Sequence, residues 1–122
     1  MEIEENNLSI EYKNDDGKYH REDGPAVYYK HTKTEYWFLN GKLHNPNGPA
    51  ITYSTGTKLW YKHGKLHRED GPAVVTTDSQ DYYLENMKYK NEESHKKMVK
   101  MLDIVKKNPG LVEIKHGELS WK

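Results

Sequence analysis

The chain has 122 residues, with nineteen Lys plus Arg balancing nineteen Asp plus Glu, and no cysteine. That is room for one domain; the balanced charge excludes the broad cationic footprint of a general nucleic-acid binder, and the lack of cysteine excludes disulfides and thiolate metal sites, which fits a reducing, cytoplasmic compartment. Mean hydropathy is −1.13 and no apolar run nears the ~20 residues of a membrane span, so the burial a polar chain needs must come from its ten Tyr, three Trp and one Phe.

The acidic opening Met1-Glu2-Ile3-Glu4-Glu5 is the reverse of a signal peptide. A partial strand is expected over 8–13, and from there the chain repeats itself. Gly-Lys-Tyr-His-Arg-Glu-Asp-Gly-Pro-Ala starts at Gly17, Gly-Lys-Leu-His-Asn-Pro-Asn-Gly-Pro-Ala at Gly41 and Gly-Lys-Leu-His-Arg-Glu-Asp-Gly-Pro-Ala at Gly64. A decayed copy without its Gly and Pro begins at Met87. Residues 8–93 thus read as about three β-hairpin repeats of 23–24 residues. In each, a short β-rich run follows the alanine: Val27-Tyr28-Tyr29, Ile51-Thr52-Tyr53, Val74-Val75-Thr76. After a polar turn comes an aromatic return strand: Tyr36-Trp37-Phe38-Leu39, Leu59-Trp60-Tyr61-Lys62, Tyr82-Tyr83-Leu84-Glu85. Asn40-Gly41 and His63-Gly64 tolerate positive φ and suit tight hairpin turns.

The Gly-Pro punctuation closes each unit. Asp23 and Asp70 precede it, where a carboxylate accepts local backbone hydrogen bonds and fixes the turn. Gly24, Gly48 and Gly71 are expected to take an otherwise costly backbone geometry. Pro25, Pro49 and Pro72 set φ at the start of the next strand, where a missing donor is tolerated. The fold class is therefore mainly β with a C-terminal helix. It is expected as an elongated, twisted antiparallel sheet of hairpin repeats running as one long meander.

The Trp-Tyr-Lys-His-Gly-Lys-Leu-His-Arg-Glu-Asp-Gly-Pro-Ala run over 60–73 resembles the variant MORN-type repeats of bacteriophage, giant-virus and bacterial proteins, and the similarity extends over about residues 8–94. That resemblance implies a β-hairpin stack without catalysis, and a phage or viral accessory role such as blocking a host defence complex. The unit at Gly41 departs from the pattern, with Asn45-Pro46-Asn47 where the others have Arg-Glu-Asp.

Along the return strands Tyr36, Leu59, Tyr82 and, two residues on, Phe38, Tyr61, Leu84 are the expected buried face. Trp37, Trp60 and Tyr83 alternate with them among charges that include Lys58 and Lys62, which suggests a half-exposed aromatic ladder with rungs about 10 Å apart. Such rings serve either to stabilise neighbouring strands or to anchor a partner. From about residue 94 the period changes: Met98, Met101, Leu102 and Val105 mark one face of a helix. Glu92, Glu93 and Ser94 suit its start, and Asn108-Pro109-Gly110 its end. A last hairpin is expected to turn at His116-Gly117, so that 94–122 caps the open end of the single domain 1–122. Residues 88–107 hold seven lysines against three acids, and residues 1–16 six acids against one lysine. Lys96, Lys97 and Lys100 make the C-terminal segment a second candidate contact surface.

His20-Arg21-Glu22-Asp23, echoed by His67-Arg68-Glu69-Asp70, has the residue types of an acid–base pair. Neighbours on a strand alternate faces, however, and duplicated copies point to architecture. His20, His44 and His67 recur too far apart to share a zinc ion, whose ligands sit about 2 Å away. No cofactor or metal is expected. The expected function is non-enzymatic binding of another protein, with no specific nucleic acid and no membrane partner, and with self-association through a free strand edge possible. A lipid-associated scaffold is the alternative; a metal protein or enzyme is the weaker one.

Overall fold

The computed structural model describes residues 1–110 in full and 112–115 and 118–121 as backbone. In chain order its strands are β1 (Glu2–Glu5), β2 (Ser9–Lys13), β3 (Val27–Tyr29), β4 (Thr34–Tyr36), β5 (Phe38–Leu39), β6 (Lys42–Leu43), β7 (Ile51–Thr52) and β8 (Lys58–Leu59). They continue as β9 (Tyr61–Lys62), β10 (Lys65–Leu66), β11 (Val74–Val75), β12 (Gln80–Leu84), β13 (Met87–Tyr89), β14 (Val112–Lys115) and β15 (Glu118–Trp121), with one helix, α1 (Glu92–Lys107). Nine strands form one antiparallel sheet in the order β1-β2-β3-β4-β7-β8-β11-β12-β13, while β5–β6, β9–β10 and β14–β15 are separate two-stranded ribbons. The architecture is thus mainly antiparallel β with a C-terminal helix. The turn expected at His116-Gly117 lies outside the described residues.

The large sheet follows chain order as the expected meander does, but it leaves out the short ribbons. The first two return strands break at their tryptophans, and the two halves join different sheets. Trp37 donates its N–H to Ala50 in the large sheet at 2.7 Å and accepts at its carbonyl from His44 in the ribbon at 3.0 Å. Trp60 does the same with Ala73 at 2.7 Å and His67 at 3.0 Å; Tyr12 makes the matching bonds to Ala26 at 2.7 Å and His20 at 3.0 Å from within unbroken β2. Trp37 and Trp60 are therefore pivots whose two backbone groups serve a strand of the large sheet and a ribbon, which satisfies both groups while turning the chain.

The same register corrects the place of Tyr83. Ala50 N–H meets the Leu59 carbonyl and Ala73 N–H meets that of Asp81; Asn45 N–H meets Tyr61 and Arg68 N–H meets Tyr83. Tyr83 is therefore equivalent to Tyr61, and Tyr82 stands where Trp60 stands one repeat earlier. The cause is the loop between β11 and β12, one residue shorter than that between β7 and β8. The decayed copy still makes its hairpin turn, with Glu85 and Asn86 at φ 49° and 68° matching His63 and Gly64 at 49° and 83°.

The fully enclosed core is small. Ala26, Ala50 and Ala73 are 0 % exposed, joined by Val27, Ile51 and Leu84. Of the expected buried face only Leu84 is buried; Tyr36, Phe38, Leu59, Tyr61 and Tyr82 are half-buried. Their rings cover one another instead, as with Tyr19 and Phe38 at 5.3 Å and Tyr36 and Tyr53 at 6.3 Å between centroids. Over most of this face mutual ring contact does the covering; at Tyr82 the His95 ring of α1 does, 5.1 Å away.

Helix α1 starts at Asn91, whose side chain accepts the Ser94 N–H while Ser94 Oγ accepts that of Asn91, a capping box. It packs on β12 and β13. The packing face is rotated from the expected one: His95 is buried, Met98, Val99, Leu102 and Val105 are half-buried, and Met101 faces out. His95 lies one helical turn ahead of Met98 and Val99, and a histidine escapes a purely apolar count.

Candidate functional site

Each repeat carries the same loop, at 20–25, 44–49 and 67–72. Its histidine ties one repeat to the next. His20 Nδ1 accepts the Asn40 N–H at 3.0 Å, His44 Nδ1 that of His63 at 3.0 Å and His67 Nδ1 that of Glu85 at 3.1 Å. Each donor is the first positive-φ residue of the following hairpin. Acceptance at Nδ1 leaves the ring proton on Nε2 and the ring neutral. His44 is held below the usual imidazole range, first by burial and then by His63 and Lys62; the His63 ring stacks on it at 4.2 Å.

A guanidinium closes the loop. Arg21 Nε donates to Asp23 Oδ1 at 3.1 Å and Nη1 to the Pro25 carbonyl at 3.3 Å; Arg68 reaches Asp70 at 3.0 Å and the Pro72 carbonyl at 3.1 Å. Asp23 and Asp70 thus act through the arginine and not through backbone donors, and the arginines close their own loops. Gly24, Gly48 and Gly71 do not have positive φ. What glycine gives at two of them is room for the guanidinium: a Cβ on Gly24 would lie 2.6 Å from Arg21 Cζ, and one on Gly71 3.0 Å from Arg68 Cζ, so the arginine would have to shift.

The divergent middle loop keeps this closure by other means. Asn45 Nδ2 donates to the Pro49 carbonyl at 3.0 Å, and Asn45 Oδ1 accepts the Asn47 N–H at 3.1 Å. Only the outer layer is lost. Arg21 Cζ lies 4.2 Å from the Tyr12 ring centre and Arg68 Cζ 3.9 Å from that of Trp60, each a cation–π contact worth roughly 0.5–1 kcal/mol. Asn45 is too short to cover Trp37 in the same way.

A cleft opens on each side of this middle loop. One, of about 740 Å³, is walled by Asn45, Pro46 and Asn47 on one side and by Trp60, Lys62 and Arg68 on the other. The second, of about 500 Å³, lies between the loop and Trp37, Glu22 and Asp23. Of the expected contact residues, then, Trp37, Trp60 and Lys62 gather around one loop, and Gly48 and Pro49 belong to it. Exposed Lys58 and half-buried Tyr83 line neither cleft. Lys96, Lys97 and Lys100 are exposed on α1, where Lys96 and Lys97 pair with Glu92 and Glu93 at 2.7 and 3.7 Å. A third hollow, of about 630 Å³, is an apolar groove bordered by Leu8, Tyr29, Tyr36 and Tyr53. Burial and the hydrogen bond to Tyr53 push Tyr36 up to about 12. The groove's rings come from β3, β4 and the turn after β7; of them the sequence singles out Tyr36, as part of the expected buried face.

In the acid–base candidate, both ring nitrogens of His67 are occupied. Nε2 lies 3.3 Å from Glu69 Oε2, while Nδ1 holds the Glu85 N–H. Burial alone would raise Glu69, but the His67 hydrogen bond and Lys106, 3.4 Å away on α1, together bring it below the usual carboxylate range. The pair thereby ties loop to helix. Among the described residues no three His, Asp or Glu side chains gather as a metal ion would need, and no helix is long and apolar enough to cross a membrane. Compared with family models, curated proteins and solved structures, the chain matches none.

Proposed function

We propose that the chain is a non-enzymatic β-repeat module that binds another protein through the clefts flanking Asn45-Pro46-Asn47. The observation that carries this reading is the way the middle loop departs from its neighbours. It keeps the closure onto the Pro49 carbonyl and lacks the guanidinium that covers Trp60 in the next loop. Rings at Trp37 and Trp60 with the exposed cation Lys62 then line the clefts, the residue types that anchor protein interfaces. The resemblance to variant MORN-type repeats supports a phage or viral accessory role in the host cytoplasm, in which the module blocks a host defence complex.

Restoring the pattern tests this directly. The triple variant Asn45→Arg, Pro46→Glu, Asn47→Asp returns a guanidinium to Trp37, as Arg68 covers Trp60. Its melting temperature is expected to stay level or rise slightly, while capture of the partner by the immobilised chain falls at least about tenfold, as for loss of a central anchor. Capture that survives the repair would remove the clefts from the interface.

A further inference from the structure

The outermost strands of the large sheet, β1 and β13, are eight inter-strand steps apart, about 38 Å at the usual spacing. The two ends differ in sign. Residues 1–16 carry six acids against Lys13, with Lys30 on Glu5 at 2.8 Å and the amino terminus on Asp15 at 3.3 Å; residues 88–107 carry seven lysines against three acids, with Lys88 on Asp81 and Lys106 on Glu69. Exposed apolar side chains follow the same division. Among the described residues, the large ones left exposed are Met1, Ile3, Leu8 and Tyr29 toward the acidic end, and Met87, Met101 and Ile104 at the basic end. Helical spacing places Lys97, Lys100, Met101 and Ile104 on one outward face of α1, opposite the face that packs through His95 and Leu102. On β1, Ile3 alternates with Glu2 and Glu4.

We infer that these ends are complementary docking surfaces for a second copy of this chain, the acidic β1 end of one molecule seating against the basic α1 end of the next. At each end, exposed apolar side chains stand close to side chains of one prevailing charge. Neither end suits a copy of itself, because like charges would meet. The contact is therefore head-to-tail, and because it joins two different surfaces it propagates as an open chain instead of closing as a two-fold dimer. β1 also leaves one row of backbone donors and acceptors unpaired at the sheet edge, and its glutamates discourage indiscriminate strand pairing while admitting a lysine-rich neighbour. This inference is independent of the cleft beside the middle loop.

Sedimentation of the full chain tests it. At about 50 mM salt the weight-average mass is expected to climb continuously between about 10 and 200 μM, and to return to that of one chain at about 500 mM, where screening acts over only a few ångströms. Glu2→Lys, Glu4→Lys, Glu5→Lys in one variant and Lys90→Glu, Lys97→Glu, Lys100→Glu in another alter exposed positions only. Each alone is expected to stay monomeric. Mixed in equal amounts they should assemble again, because every junction once more joins opposite charges. A wild-type chain that stays monomeric at low salt would overturn the inference. So would a dimer that stops at two copies and ignores both reversals, or lysine-dependent sedimentation with phosphatidylserine vesicles by a chain that never self-associates.

Discussion

Replacing His95 with alanine should lower the unfolding free energy by about 3 kcal/mol. His95 is 1 % exposed, and its Nε2–H donates to the Arg68 carbonyl at 2.6 Å. Its ring lies against Tyr82 and Tyr89, with centroids 5.1 and 6.2 Å away. The alanine variant loses the packed ring and orphans a carbonyl at once, and both penalties fall where little else is enclosed. Arg68 sits in the third repeat loop, so one side chain fastens the helix to the loop that covers Trp60. Urea titration gives the free energy, and hydrogen exchange the location: amides of α1 should lose protection first. A loss below about 1 kcal/mol would mean that α1 is held by its exposed ion pairs, which such pairs are generally too weak to do.

Ala50→Leu is expected to be nearly as damaging, by about 2–3 kcal/mol, or a melting temperature lower by about 10 °C. Ala50 is 0 % exposed, its N–H bonded to the Leu59 carbonyl at 2.8 Å and its carbonyl to the Trp37 N–H at 2.7 Å. Backbone on both sides is pinned, so a larger side chain cannot be accommodated by a shift of one strand. The strain would reach the Trp37 pivot and hence both sheets. A thermal melt unchanged from wild type would show that the alanine site has spare volume.

Much of this architecture was legible from the chain alone. Gly-Pro-Ala spacing announced the repeats, Asn40-Gly41 and His63-Gly64 the turns, and the switch to a helical period placed α1, whose limits at Glu92 and Lys107 fall close to the charges read as its ends. The break in the first two return strands was not legible. A strand that leaves one sheet for another shows no change in apolar alternation, since the change is carried by the backbone groups of Trp37 and Trp60. The shift at Tyr83 was hidden for a related reason: two adjacent tyrosines fit either register, and only the shorter loop before them decides. Alanine as core and histidine as helix anchor run against hydropathy ranking, because enclosure at Ala50 and His95 follows from what surrounds them. At the candidate site, the departure at Asn45-Pro46-Asn47 was visible, but not that Asn45 rebuilds the loop closure while opening a cleft.

The account rests on duplicated loop residues that serve the frame, chiefly the three histidines whose Nδ1 atoms hold the next repeat's turn. Nitrogen-15 NMR of the imidazole rings near neutral pH tests this most directly. His20, His44 and His67 should each show a single Nε2–H tautomer with an unprotonated, hydrogen-bonded Nδ1. On acidification His44 should remain neutral to lower pH than a free imidazole, in keeping with its lowered value. Rings that average between tautomers, or that carry the proton on Nδ1, would contradict the ladder and with it the architectural role of the repeated motif.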